Sequence, residues 1–454
     1  MMRALLILYC LACTATSAER PNFLVIFTDD QCYRSIGYNN PEVKTPHLDR
    51  LAAEGMTLNH AYVASPICTA SRASMMSGMF PQQNGAAALD TKNFAPFLKG
   101  GEHEQMTLAA QLSNAGYHCE FWGKSHLGDP KKYGFHHGKE TRDFDDREPF
   151  QKATAFLTEA AKKDEPFFLW LAPRQPHVPL KPKQKWLDLY DETSLSLPDN
   201  FREKPLHQSI NNQGIAGEMF FRGHTYTDNW RNAPVGPPRS AEVARTFTKA
   251  YYATISHLDQ QVGDLVAHLD TVGLGKNTII IFLSDNGFHL GSHGLGNKIT
   301  MHEESVRVPM WIRWPGTVKA GTTSDALVSS LDVYPTLIDL AKAPMPKHLM
   351  GHSLVPLMND PTTSLREVVF SECTGVGGKL DEGHRMARSK NWKYVLSDTD
   401  EEYFYDQVND VPELKNQIDE DLGKEASELK KLRIAMGQWM ERVGDRPYKH
   451  QPKD

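Results

Sequence analysis

Two acidic pairs and one cysteine carry the first chemical signal. Asp29-Asp30 and Asp285-Asn286 each follow an apolar run directly and offer only oxygen donors. Hard oxygen ligands suit calcium or magnesium, not zinc. Either pair alone reads equally well as a turn, Asp-Asn-Gly being a turn sequence. Together, in a chain that also carries the Cys68 segment, they read as a metal site. Cys68 lies in Pro66-Ile67-Cys68-Thr69-Ala70-Ser71-Arg72, ahead of a small, helix-compatible run to Gly78. Burial is the ordinary fate of a free thiol. At a helix N-terminus a thiol of lowered pKa could be a nucleophile, given a His base oriented by Asn or Asp. Three segments supply cations and imidazoles. Gly123–Gly128 places Lys124 and His126 two apart, so an extended backbone sends both to one side. Pro176-His177-Val178-Pro179 holds His177 between prolines, and Lys298 follows the glycine-rich stretch Gly291–Gly296. Taken singly, each is more often a solvated surface residue.

These residues need strands to carry them. Asn22–Thr28 and Thr278–Ser284 are continuous apolar runs with β-branched members, as central strands covered on both faces require. Pro166–Ala172 reads likewise, and Tyr117–Trp122 and Val308–Trp314 are further strands. Helices are expected over Thr45–Glu54, from Ser71 to Gly78, and over Thr107–Asn114, Thr246–Val272 and Asp332–Ala341. Alternating strands and helices predict an α/β fold, a doubly wound, mostly parallel sheet sandwiched by helices. In such sheets ligands bind outside the carboxyl ends of the strands. Asp29 and Asp30, Lys124 and His126, His177, and Asp285 and Asn286 all follow strand ends. Lys181–Gly236 reads as long surface loops over that edge. From about 364 the pattern changes to short antiparallel strands over Glu367–Glu372, Arg385–Ala387 and Trp392–Ser397, then a helix over Glu425–Val443. The expected organisation is a catalytic domain over 19–363 and a small C-terminal α+β domain, with an antiparallel sheet, over 364–454.

Composition narrows the partners. The 454 residues carry 50 Lys and Arg against 56 Asp and Glu, a formal charge of −6. No global basic field of the kind nucleic acid needs is present, so any anion site has to be built locally. Met1–Ala18 reads as a secretory signal, with Arg3, an apolar stretch too short to span a membrane, and a small-residue cleavage site. Secretion or periplasmic export follows, with no membrane span. Cys10 and Cys13 leave with that segment. The remaining Cys32, Cys68, Cys119 and Cys373 are too few for a disulfide scaffold. One pair among them could bridge, but spacing does not select it.

Taken together, the chain resembles the type I sulfatases of the alkaline-phosphatase superfamily over nearly its whole mature length. The resemblance runs through Asn22–Asp30, Thr45–Leu51, Cys68–Gly78, Gly123–Gly128, Pro176–Pro179, Ser284–Gly287 with Lys298, Trp392–Tyr394 and Tyr403–Asn416. It implies that Cys68 is oxidised to formylglycine, whose hydrate is the nucleophile. It implies one calcium ion held by Asp29, Asp30, Asp285, Asn286 and the modified residue 68. Arg72 and Lys124 would orient formylglycine and sulfate. His126 would be the base that collapses the sulfo-enzyme, and His177 and Lys298 would bind sulfate and protonate the leaving oxygen. One position departs from the commonest signature, which has Pro where this chain has Ala70. The aerobic maturase prefers Pro and the anaerobic radical maturase tolerates Ala, so the implied partner is a radical-type or Ala-tolerant maturase. Asp285–Gly294 and Met301–Gly316 resemble sugar-sulfate sulfatases more than small arylsulfatases. That implies a sulfated carbohydrate substrate, with Arg174, Lys181, His289 and His293 as candidate contacts. A sulfamidase, a phosphate or phosphonate monoester hydrolase, and a sugar-binding protein without activity are the competing expectations.

Overall fold

Strand β1 (Asn22–Thr28) is buried at every residue, and its alternation divides the interior. Phe23, Val25 and Phe27 join one hydrophobic cluster, and Leu24 and Ile26 join the cluster on the opposite face. Such burial on both faces is why the run is apolar throughout instead of alternating. The computed structural model describes residues 20–86, 106–203, 240–373, 383–447 and 449. Met1–Ala18 and the part of Lys181–Gly236 from 204 onward lie outside them.

β1 lies mid-sheet with β2 (Met56–Tyr62), β3 (His118–Gly123), β4 (His137–Glu140), β5 (Phe167–Ala172), β6 (Thr278–Ser284), β7 (Met310–Arg313) and β8 (Thr322–Ser329), in the order β4-β3-β5-β1-β6-β7-β2-β8. All pairs are parallel except those of β7, which runs antiparallel to both β6 and β2. Helices α1 (Pro46–Ala53), α4 (Arg147–Ala160) and the 31-residue α5 (Ala241–Thr271) cover one face through Leu48, Leu51, Phe150, Leu157, Leu258, Val262 and Leu265. Helices α2 (Cys68–Ser77), α3 (Leu108–Asn114) and α6 (Val333–Leu340) cover the other. The expected doubly wound sheet is therefore present. Strands β2, β4 and β8, the later strand over Glu402–Asp406 and helix α4 carry no expectation from the sequence, and α2 begins at Cys68, three residues before the expected Ser71.

Beyond it, β9 (Val369–Cys373), β10 (His384–Arg388), β11 (Trp392–Ser397) and β12 (Glu402–Asp406) form a second, fully antiparallel sheet. Helix α7 (Ala426–Val443) packs Leu432, Met436, Trp439 and Met440 against Tyr394, Leu396 and Phe404. A buried ion network ties this sheet to the larger one. Lys393 Nζ on β11 lies 2.8 Å from Glu303 Oε1 and 2.5 Å from Glu413 Oε1. Glu303 also meets Arg388, Arg307 and the Tyr62 hydroxyl, and Glu413 accepts from Gln407, His302 and the Glu303 amide. Each carboxylate oxygen of Glu303 and Glu413 thus has at least one partner.

Cys32, Cys68 and Cys119 are buried with free thiols, so no disulfide joins them, and Cys373 is buried on β9. Among the described residues, no helix is long and apolar enough to cross a membrane.

Candidate active site

Four adjacent strands deliver the site. β3, β5, β1 and β6 are consecutive in the sheet and parallel, so their carboxyl ends lie side by side. Lys124 and His126 follow β3, His177 follows β5, Asp29 and Asp30 follow β1, and Asp285 and Asn286 follow β6. Backbone bonds lock the ends together: Lys124 N donates to Ala172 O, Asp285 N to Thr28 O and Asp29 N to Gln175 O. β3 ends on a glycine because nothing larger fits. Gly123 has φ +119°, and a Cβ there would lie 2.0 Å from Ala172 O. Asp30 and His126 adopt left-handed backbone at φ 65° and 59°, an unfavourable state for residues with side chains that structures tolerate mainly at functional sites.

Cys68 is the first residue of α2, entered from extended Ile67, and is 1% exposed. Lys298 Nζ reaches Cys68 Sγ at 2.8 Å and pairs with Asp30 Oδ1, which lies 3.7 Å from the sulfur. One helical turn on, Arg72 donates through Nε to Asp285 Oδ2 at 2.8 Å and through Nη1 to Lys124 O at 2.8 Å, and its guanidinium lies over Phe27. Lys124 Nζ meets Asp29 Oδ2 at 2.5 Å. His177 Nδ1 donates to its neighbour's carbonyl at Val178, leaving Nε2 turned toward Asp30 Oδ2 at 3.7 Å. His126 Nδ1 lies 3.3 Å from Thr69 Oγ1, beside Cys68.

The oxygen atoms at the centre identify what the site lacks on its own. Asp29 Oδ1, Asp30 Oδ2 and Asn286 Oδ1 are buried without a hydrogen-bond partner, and donor atoms of Asp29, Asp30, Cys68 and His177 lie within 4.8 Å of one another. Asn286 Nδ2 is committed to Asp30 Oδ1 and Gly287 O, which leaves its oxygen as the free end. Buried acceptors left unmade cost about 1–3 kcal/mol each, and more when charged. An oxygen-coordinating divalent cation would give such acceptors the partner they lack, so the donor chemistry of these residues fits calcium. Charge agrees. Three carboxylates (Asp29, Asp30, Asp285) meet three cations (Arg72, Lys124, Lys298), and a dication tips this balance positive, as an anionic substrate requires.

The ionisation states follow from the same packing. Burial opposes the charge on Asp29, but Lys124, His177 and Arg72 hold its carboxyl well below the usual range. Burial lifts Asp285 to about 7, with Asp29 and Asp30 adding like charge against the pull of Arg72 and Lys124. Burial pushes the Cys68 thiol up to about 12 in spite of Lys124 and Lys298. A thiol in that state is a poor nucleophile. Burial and then Lys124 lower His126 to about 2 and His177 to about 4, so both rings are neutral, the state in which an imidazole accepts a proton.

The four candidate substrate contacts differ in burial and partners. Arg174 Nε donates to Thr141 O and its guanidinium pairs with Glu140 at 3.2 Å. Lys181 is exposed. His289 and His293 are each 1% exposed, with His289 Nε2 at 2.8 Å from Thr300 Oγ1 and His293 Nε2 at 3.0 Å from Asn200 Nδ2. Both support the loop between Asn286 and Lys298 from inside. Nothing in the sequence marked Tyr251, a third of the way along α5. Its hydroxyl donates to Asp30 O at 2.5 Å and accepts from Cys32 N, fixing the backbone that carries the acidic pair. Only the pairing of α5 with that strand end reveals it.

Comparison with known proteins agrees with this geometry. A family model described as Sulfatase matches residues 21–343, and one described as N-sulphoglucosamine sulphohydrolase, C-terminal, matches residues 291–438. An ulvan-active sulfatase of Formosa agariphila is 28% identical, over 90% of this chain and 82% of its own. An N-acetylglucosamine-6-O-sulfatase of Bacteroides thetaiotaomicron is 26% identical, over 88% of this chain and 82% of its own. A solved structure of a protein with its substrate D-glucosamine-2-N,6-O-disulfate shares the fold, with a TM-score of 0.78 at 23% identity, over 95% of this chain and 100% of that one.

Proposed function

The chain belongs to the sulfatase family, and we propose that it hydrolyses sulfate esters carried on a carbohydrate. The observation that carries this reading is the set of buried oxygens of Asp29, Asp30 and Asn286 that accept no hydrogen bond, beside Cys68 and Lys298. Asp29, Asp30, Asp285 and Asn286, with the modified residue 68, would hold one calcium ion, which supplies Lewis-acid charge to an anionic transition state. Residue 68 would act as formylglycine, whose hydrate is a nucleophile the buried thiol is not.

The chain's own residues divide the work around that group. Lys298 and Lys124 present fixed ammonium groups to the sulfate oxygens, as cations do in phosphoryl transfer. Arg72 holds Asp285 and the end of β3 in register. His126, neutral and held near Thr69, would accept the proton that a residue 68 hydroxyl gives up as sulfate leaves. His177 and Lys298 face the leaving oxygen. A bound sulfate beside His177 raises the affinity of that ring for a proton, readying it as the acid. Carbohydrate as the carrier rests on the relatives named above, two of them saccharide sulfatases by name. The match of residues 291–438 to the N-sulphoglucosamine sulphohydrolase C-terminus supports a second reading, cleavage of an N-sulfate. Export under Met1–Ala18, maturation by a radical-type or Ala-tolerant maturase, and a role in polysaccharide breakdown complete the proposal.

Mass spectrometry of the peptide spanning residue 68 establishes its conversion. Converted protein is then offered O-sulfated and N-sulfated saccharides beside phosphate and phosphonate monoesters. Sulfate release from O-sulfated saccharides is expected. Preference for N-sulfate selects the second reading, and hydrolysis of the phosphorus esters alone overturns both.

A further inference from the structure

At the other end of β3, about 20 Å from Lys124 by strand rise, three side chains converge for which the sulfatase site has no use. His118 and Glu120 are two apart on β3 and so share a face. His137, the first residue of β4, is the register partner of Glu120. One donor atom from each lies within 4.8 Å of the others. The geometry points to a zinc-type metal site formed by His118, Glu120 and His137 at the outer edge of the large sheet.

Three observations support it. The trio is arranged by backbone pairing, since adjacent parallel strands in this register project the three side chains to one side. Rotation about the side-chain bonds then closes the donors to the roughly 3.4 Å that tetrahedral bonds of about 2.1 Å require. Second, Glu120 is already oriented. Its Oε2 accepts from Trp122 Nε1 at 2.9 Å, while Oε1 faces His118 Nε2 at 3.4 Å. Metal-bound carboxylates have this kind of outer hydrogen bond. Third, the His118 ring is held between His136, stacked at 5.0 Å, and Phe156 at 5.8 Å, so little side-chain freedom remains to be lost on binding. His136 itself is engaged, its Nδ1 accepting from Cys119 N.

Two imidazoles and one carboxylate select borderline transition ions over calcium, the reverse of the all-oxygen set at the opposite end of the strand. Three protein ligands leave a fourth position for water. The bound ion would join β4, a four-residue edge strand, to β3, which carries Lys124 and His126. The site would thus clamp the sheet edge and take no part in turnover.

Calorimetric titration of zinc chloride into tag-free full-length protein, in excess calcium, tests this. One zinc ion per chain is expected, with a raised unfolding temperature. His137→Ala, an exposed position, should weaken zinc binding at least about tenfold and abolish the thermal shift, with sulfate release unchanged. His118→Ala should do the same to zinc. Absence of saturable binding in the wild type, or undiminished affinity in both variants, overturns the site.

Discussion

Asp29-Asp30 and Glu303-Glu304 are both acidic pairs, and Asp30 and Glu303 each stand at the centre of a buried charge cluster. The clusters differ in what is left over. Around Glu303 and Glu413, Lys393, Arg388, Arg307, His302, Gln407 and Tyr62 reach every carboxylate oxygen. Around Asp29 and Asp30, Lys124, Arg72 and Lys298 balance the charge, yet Asp29 Oδ1, Asp30 Oδ2 and Asn286 Oδ1 accept no hydrogen bond. A polar network completed by its own chain is a structural tie. One that is neutral in charge and incomplete in bonds is built for something the chain does not supply.

The sharpest way to break this contrast is at the nucleophile. Cys68→Ala should lower sulfate release by roughly 10⁵-fold or more, while the unfolding temperature moves little. Substantial retained turnover would remove Cys68 from the chemistry. Chelation comes next. Stripping calcium should reduce turnover at least about 10³-fold and added calcium should restore it, because the orphaned oxygens persist in the folded chain. The Glu303 cluster should answer in the opposite currency. Lys393→Met leaves two buried carboxylates facing each other and should cost about 3–5 kcal/mol of stability by urea unfolding. Turnover per folded molecule should be preserved. An unaltered urea midpoint would mean the network is not the tie between the sheets.

The smallest effect concerns pH. Burial, then the neighbouring His293, lower His302 to about 4, against about 6.5 in the unfolded chain. Between those values the unfolded chain binds the extra proton. Stability contributed by the neutral ring is complete above pH 6.5 and is lost as pH falls toward 4, by at most about 3 kcal/mol for this group. His302→Gln, which keeps a polar group beside Glu413 and Glu304, should flatten that slope. A slope unchanged by the substitution would place the titration on another group.

Legibility divides along physical lines. β1 and β6 were readable because burial on both faces demands unbroken apolar runs. The site residues were readable because parallel strands leave their polar continuations at one edge. β4 was not, since His137-Gly138-Lys139-Glu140 is a polar edge strand that pairing alone holds. Cys68 was readable at a helix start, but the regular run was expected only from Ser71, because the N-cap, Ile67, has no side-chain oxygen to mark the beginning. His289 and His293, candidate substrate contacts by sequence, are buried side chains. Their partners Thr300 and Asn200 are ordinary polar residues whose proximity only the folded chain creates. Lys393 and Glu413 lie some 90 and 110 residues beyond Glu303, so nothing near Glu303 in the sequence marks its carboxylate as fully partnered.

All ten residues of α2 are buried, Cys68 among them. On the proposed chemistry, a protein-sized maturase therefore reaches that sulfur less readily in the folded chain than in the nascent one. Maturation thus competes with folding for the nascent chain, and chains that fold first are converted less often. The active fraction of a preparation is then set during synthesis. Slower translation or cooler expression should raise it, and treating finished protein with the maturase should not.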